Sequence, residues 1–263
     1  MDVILYFLIC IVATTVGAIS GIGGGVIIKP VFDAFSGLSV STISFLSGCT
    51  VLAMSVVSML HSRSGSVKVE PRRGTLLAVG GAVGGIVGKW LFEIIRGLAA
   101  SDGLVGTVQS VLMILLTVGV LVYVLNKKRI HTLDVQNGAA CAFIGLALGM
   151  MSAFLGIGGG PINLAVLYYF FSMDTKTAAL NSLYIILFSQ ITSLASTLLG
   201  GSIPPFTWPA LVSMVIGGVL GGFVGRAFSK RMSSHAVDVL FQILLIVITG
   251  ISCYNLYSYA AML

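Results

Sequence analysis

Charge is nearly absent from this chain. Only 8% of its 263 residues are Asp, Glu, Lys or Arg, where a soluble domain carries about 25%. The rest is 57% hydrophobic, with a mean hydropathy of +1.09. That balance excludes a soluble domain and implies an all-α, polytopic helical membrane protein. The alternation of an outer-membrane barrel is missing too, since the apolar runs are long and continuous.

Other shortages exclude chemistries. The cysteines Cys10, Cys49, Cys141 and Cys253 are widely spaced and form no C-x-x-C pair, so neither a disulfide framework nor a zinc site is implied. They read as small packing hydrophobes. There is no H-E-x-x-H, no G-x-S-x-G and no pair of intramembrane aspartates, so the chain is not expected to be an enzyme or to hold a metal or cofactor. Both nucleotide-loop readings fail. Val26 replaces the third glycine of a dinucleotide fingerprint, while Val83 and Trp90 occupy required P-loop positions before and after Gly88-Lys89. Met1-Asp2-Val3 lacks a basic leader region, so the first apolar segment reads as retained. The net charge of +6 comes from basic residues in short loops, which points to a lipid surface rather than nucleic acid.

Eight apolar segments remain, at about 3–36, 39–61, 74–95, 104–125, 137–172, 176–200, 207–228 and 236–259. A spanning helix needs about 20 residues. Six segments fit, whereas the first and fifth are too long for one crossing and too short for two. Those two carry Gly21-Ile22-Gly23-Gly24-Gly25 and Gly156-Ile157-Gly158-Gly159-Gly160, 135 positions apart. Each glycine costs a helix about 1 kcal/mol against alanine, so both clusters break their helices. Broken backbone at membrane depth is tolerated only inside protein or along a cavity. The same break in both halves is the signature of a transporter binding site.

The duplication runs further. Ser47 matches Ser182 at an offset of 135, and Gly65-Ser66-Val67 matches Gly201-Ser202-Ile203 at 136. At 137, Gly80-Gly81, Gly84-Gly85 and Gly88-Lys89 match Gly217-Gly218, Gly221-Gly222 and Gly225-Arg226. The chain therefore reads as two four-segment repeats, 1–126 and 127–263, forming one integral membrane domain. Glycines at spacing four read first as helix-packing faces.

Lysine and arginine weigh the topology. If every segment crosses, the two faces carry seven basic residues each. If segments one and five are instead re-entrant hairpins, one face gathers Arg63, Lys68, Arg72, Arg73, Lys127, Lys128, Arg129, Lys176, Arg226, Lys230 and Arg231. The other keeps Lys29, Lys89 and Arg96. That bias favours re-entrant, inverted repeats with both termini outside. The apolar stretch before each cluster nearly spans a membrane, which keeps the simple arrangement open.

A helix restarting after each cluster presents unpaired N–H groups and a positive dipole end, suited to an anion. Pro161 follows the second cluster at a position favourable for a first helical turn. The candidate substrate-binding residues are Gly21, Gly23, Gly24, Gly25, Ser47, Gly156, Gly158, Gly159, Gly160, Asn163, Asn181 and Ser182, with Ser44, Thr50 and Gln190 nearby. Such amides and hydroxyls equally serve helix packing in lipid. No lysine or arginine is expected inside the site. Glu93 reads as a near-surface partner of Lys89, and Asp33 lies where the chain is expected to return to water.

The paired glycine motifs, Pro30 nine residues after Gly21 and the two ladders resemble the TauE/SafE sulfite exporter family, also called toluene sulfonate uptake permeases. The resemblance covers essentially the whole chain. It implies a multi-pass carrier in a bacterial inner membrane for small sulfur-containing anions such as sulfite, sulfonates, sulfoacetate or thiosulfate, and it places the site at the two glycine clusters. The second repeat departs from the first in carrying Ala165 opposite Pro30 and Pro161 opposite Val26. The alternative is a non-transporting assembly or sensor subunit, which would usually add a soluble domain or long loop. No loop here exceeds about fifteen residues.

Overall fold

The computed structural model describes residues 3–62, 69–99, 101–127 and 129–261. Arg63, Lys68 and Lys128, and the Gly65-Ser66-Val67 motif, lie outside them. The described residues form ten helices and no strand: α1 (Val3–Ser20), α2 (Gly25–Phe35), α3 (Val40–Ser62), α4 (Pro71–Leu98), α5 (Asp102–Asn126), α6 (Gly138–Leu155), α7 (Pro161–Phe171), α8 (Thr175–Leu199), α9 (Trp208–Arg231) and α10 (Ser234–Ala260). Eight are long and apolar enough to cross a membrane. The exceptions, α2 and α7, have 11 residues each. At 1.5 Å per residue they reach about 16 Å, roughly half the hydrocarbon core.

Local sequence sets the boundaries. Ser101, Asn137, Asp174 and Ser233 accept hydrogen bonds from the first free amides of α5, α6, α8 and α10. Pro71 and Pro161 open α4 and α7, where a missing N–H costs nothing. Gly156 ends α6 in the left-handed region, at φ 65°.

The glycine clusters turn the chain back on itself. The Tyr6 and Phe32 rings pack 4.8 Å apart, and Gly24 abuts Thr14. Rising positions on α1 thus meet falling positions on α2, which makes a helical hairpin. In the second half, Leu133 N–H donates to the Tyr169 carbonyl at 2.7 Å and Val135 N–H to that of Phe170 at 2.9 Å. These bonds bring the end of α7 back to the start of α6.

The ladders pack the two halves together crosswise. On α4, Gly80, Gly84 and Gly88 lie against the backbone of α6 around Ala142, Leu146 and Met150. On α9, Gly217, Gly221 and Gly225 lie against α1 around Phe7, Ile11 and Thr15. The partners are themselves 135 positions apart. A β-carbon at most of these positions would collide with backbone, so glycine permits the close approach. Gly81 and Gly85 pack against α8 at Ile185 and Ser189, while Gly218 and Gly222 pack against α3 at Thr50 and Met54.

These contacts fix directions. Helices α1, α3 and α9 run parallel, and so do α4, α6 and α8. Between the groups α3 and α8 are antiparallel: Gly48 meets Gln190, while Val51 clusters with Ile186. Helices α5 and α10 are antiparallel as well, through Lys127–Asp238 at 2.5 Å and Thr249–Thr117 at 2.8 Å. Val3 and Ala260 consequently lie at one end of the bundle, with Leu98 and Leu199. Arg72, Lys127, Lys176 and Arg231 lie at the other.

Candidate anion site at the meeting of two broken helices

The two glycine clusters meet. A β-carbon on Gly25 would overlap the carbonyl of Ile157, and one on Gly23 would stand 3.4 Å from the carbonyl oxygen of Gly158. Gly160 approaches Val26 in the first turn of α2, so the N-termini of α2 and α7 converge. Gly21, Gly23, Gly156, Gly158 and Gly159 all have positive φ, the last at 121°. That is the backbone glycine tolerates best.

Unwinding leaves donors without acceptors. Among the described residues, the amides of Ile22, Gly23, Gly24, Gly25 and Val26 have no hydrogen-bond partner. The same holds for Gly158, Gly159, Gly160 and Ile162. Nearly all are buried. Buried backbone donors are almost always paired, so this concentration points to a ligand or water. Both dipole ends favour negative charge.

Side chains add donors unevenly. Asn163 is 1% exposed, and neither its Oδ1 nor its Nδ2 has a partner. Its Nδ2 lies 3.5 Å from where a β-carbon of Gly159 would sit. Ser47 and Ser182 are fully buried with unpartnered hydroxyls. Ser47 shares a face of α3 with Ser44, which abuts Gly156, and with Val51, which abuts Gly158 and Gly25. Asn181 sits elsewhere: its Oδ1 accepts from Glu70 N–H at 3.4 Å and its Nδ2 donates to the Thr177 carbonyl at 2.9 Å. It braces the start of α4. Thr50 spends its hydroxyl on the Leu46 carbonyl. Gln190 lines a cavity of about 30 Å³ with Ser44, Gly48, Gly156, Ser193 and Lys89. That space, beside Gly156, is large enough for water.

Three charge expectations need correction. Arg226 lies towards the basic end but is buried inside α9, 7% exposed, rather than in a short loop. Lys29 and Asp33 form a buried 2.9 Å ion pair, their side chains 4% and 8% exposed, so Asp33 has not returned to water. They share a pocket with Gln109, Ser110, Ser252 and Asn255, and Asn255 donates to the Pro30 carbonyl at 2.9 Å. Lys89 does pair with Glu93, at 2.6 Å, but it also lines the cavity beside Gly156, where no lysine was expected. The buried charges were missed because hydropathy averaged over a segment hides a single lysine or arginine. A run of serines on one face of α3 was the available signal.

The sulfite exporter TauE/SafE family matches residues 6–252. The chain belongs to this family. A TauE/SafE assignment across nearly the whole chain agrees with similarity to a probable membrane transporter protein, YunE, of Bacillus subtilis (strain 168). The two are 24% identical over 275 residues, covering 94% of this chain and 96% of that protein. No solved structure matches. The TauE/SafE chain is thus a multi-pass membrane transporter.

Proposed function

We propose that this protein is a secondary transporter of small sulfur oxyanions, such as sulfite, sulfonates, sulfoacetate or thiosulfate, across a bacterial inner membrane. The observation that carries the reading is the meeting of two broken helices whose buried amides lack acceptors, beside the unpartnered Asn163. Backbone donors arranged around a point suit a compact anion with charge spread over several oxygens. The family description supports the choice of sulfur chemistry.

In the proposed arrangement residues 1–126 and 127–263 are inverted repeats, and α1–α2 and α6–α7 are re-entrant hairpins. The antiparallel course of α3 and α8 supports this. So does the gathering of basic residues at the end opposite Val3 and Ala260, which becomes the cytoplasmic face. Alternating access would then rock one crosswise-packed bundle against the other around the breaks.

Flux into proteoliposomes tests the reading, with sulfite, sulfoacetate, thiosulfate, sulfate, acetate and a neutral sugar offered in turn. Uptake of at least one sulfur oxyanion is expected. Movement of acetate or the sugar, with every sulfur oxyanion ignored, would sink the assignment.

A further inference from the structure

Helix α3 carries hydroxyls on the face that includes Val51. Ser44, Ser47, Ser55 and Ser58 have solvent-inaccessible Oγ atoms with no partner. Helical hydroxyls in an apolar setting ordinarily bond back to the preceding turn, as Thr50 does to Leu46 and Ser20 to Val16, each at 2.8 Å. The α3 serines leave that capacity unused. Ser55 and Ser58 lie between the Val51 contact with the glycine breaks and the C-terminal end of α3 at Ser62.

Arg226 stands at that end. Its Nη2 donates to Ser62 Oγ at 3.4 Å, and its buried Nε has no partner. Among the described residues it makes no ion pair. Its counterpart in the other ladder, Lys89, is neutralised by Glu93. The position matching Glu93 at the ladder offset is Lys230, a second positive charge. A buried guanidinium without a carboxylate is costly unless something negative visits it. Guanidinium is also the side chain best shaped to grip several oxygens at once.

We infer that Arg226, Ser58 and Ser55 form a second oxyanion site, a loading station at the basic end of the protein. From it the anion passes along α3 to the glycine breaks. The chemical nature of the anion rests on the function proposed above. The station is one-sided, because the Lys89–Glu93 pair cancels the equivalent charge at the opposite end.

The test is calorimetric titration of sulfite and, separately, inorganic phosphate into the protein in lipid nanodiscs. Wild type is compared with Arg226→Gln, Arg226→Lys, Ser58→Ala and Asn163→Leu. Arg226→Gln and Ser58→Ala are expected to weaken sulfite binding tenfold or more at an unlowered melting temperature, and Arg226→Lys to recover part of the loss. Sulfite binding lost in Asn163→Leu but kept within twofold in both Arg226→Gln and Ser58→Ala overturns the station and leaves the transport reading standing. Phosphate bound in an Arg226-dependent way, with sulfite ignored, upholds the station and overturns the sulfur assignment. No anion bound at all overturns both.

Discussion

Gly23 faces Gly158. The two glycines are 135 positions apart, the spacing of the duplicated motifs, and the carbonyl oxygen of one lies 3.4 Å from the β-carbon site of the other. Val51 and Ile186, also 135 apart, both lie within 4 Å of that same β-carbon site. Residues that meet their own counterparts mark a local two-fold relation. Around it Gly21 abuts Ala179 just as Gly156 abuts Ser44. The breaks are therefore seated in matching surroundings, and the chemistry differs only where the side chains do.

Asn163 is one such difference. Its buried amide is unsatisfied, so Asn163→Leu should remove a polar desolvation penalty of about 1–3 kcal/mol and leave stability unchanged or raised. Transport should fall at least tenfold. Melting temperature and initial flux, read on the same preparation, check the pair. Normal flux in a well-folded Asn163→Leu protein would remove this amide from the site.

Asn181 should behave in the opposite manner. Because both ends of its amide are engaged, with Glu70 and Thr177, Asn181→Leu should destabilise by about 1–3 kcal/mol. The KM of the folded fraction should not change. A raised KM at unchanged melting temperature would return Asn181 to the substrate.

The ladders make a contrast among glycines. Gly84→Ala would drive a methyl into the Leu146 carbonyl, and overpacking of this kind costs about 1–3 kcal/mol. Gly119→Ala and Gly250→Ala meet nothing within 4 Å in helix interiors and should stabilise by roughly 0.5–1 kcal/mol. Thermal unfolding in detergent separates the two classes. Equal shifts would mean that the α4–α6 contact is looser than described.

Asp174 caps α8 through the Lys176 and Thr177 amides. Partial burial pushes its carboxyl up, but hydrogen bonds from the Thr177 hydroxyl and these amides outweigh it and hold the pKa below the ordinary 3.8. The cap thus contributes fully above that value and is lost as pH falls through the lowered one. Asp174→Ala should cost about 1 kcal/mol at neutral pH, and the difference from wild type should shrink below pH 3.8. A pH-independent difference would show that packing, not the carboxylate, does the capping.

The helix directions put Arg72 and Arg231 at one end and Tyr257 near the other, and the proposed function makes the first end cytoplasmic. Single cysteines replacing Arg72 and Arg231 should resist an impermeant thiol reagent in intact cells, whereas one replacing Tyr257 should react. The exposed native Cys253 is first replaced by serine. Labelling at 72 and 231 with none at 257 would reverse the orientation.

The amino-acid sequence by itself determined the membrane class, the helical segments and the two breaks. Composition and long apolar runs leave no other way to satisfy the backbone in lipid, and glycine clusters cannot hold a helix. The predicted segment boundaries agree with the helices to within about three residues, the largest differences being at both ends of α4 and at the C-terminal end of α9. The glycine ladders were legible as packing faces, but the sequence could not say that each grips the first helix of the other half. Nor could it tell Asn181, which braces α4, from Asn163, whose amide is left open at the break, since both are amides in apolar helices. Only the tertiary structure decided which polar groups are spent on other backbone and which remain unpaired, and it alone revealed Arg226 and Lys29 as buried. Burial and pairing are properties of neighbours distant in the chain, and periodicity along one helix does not encode them.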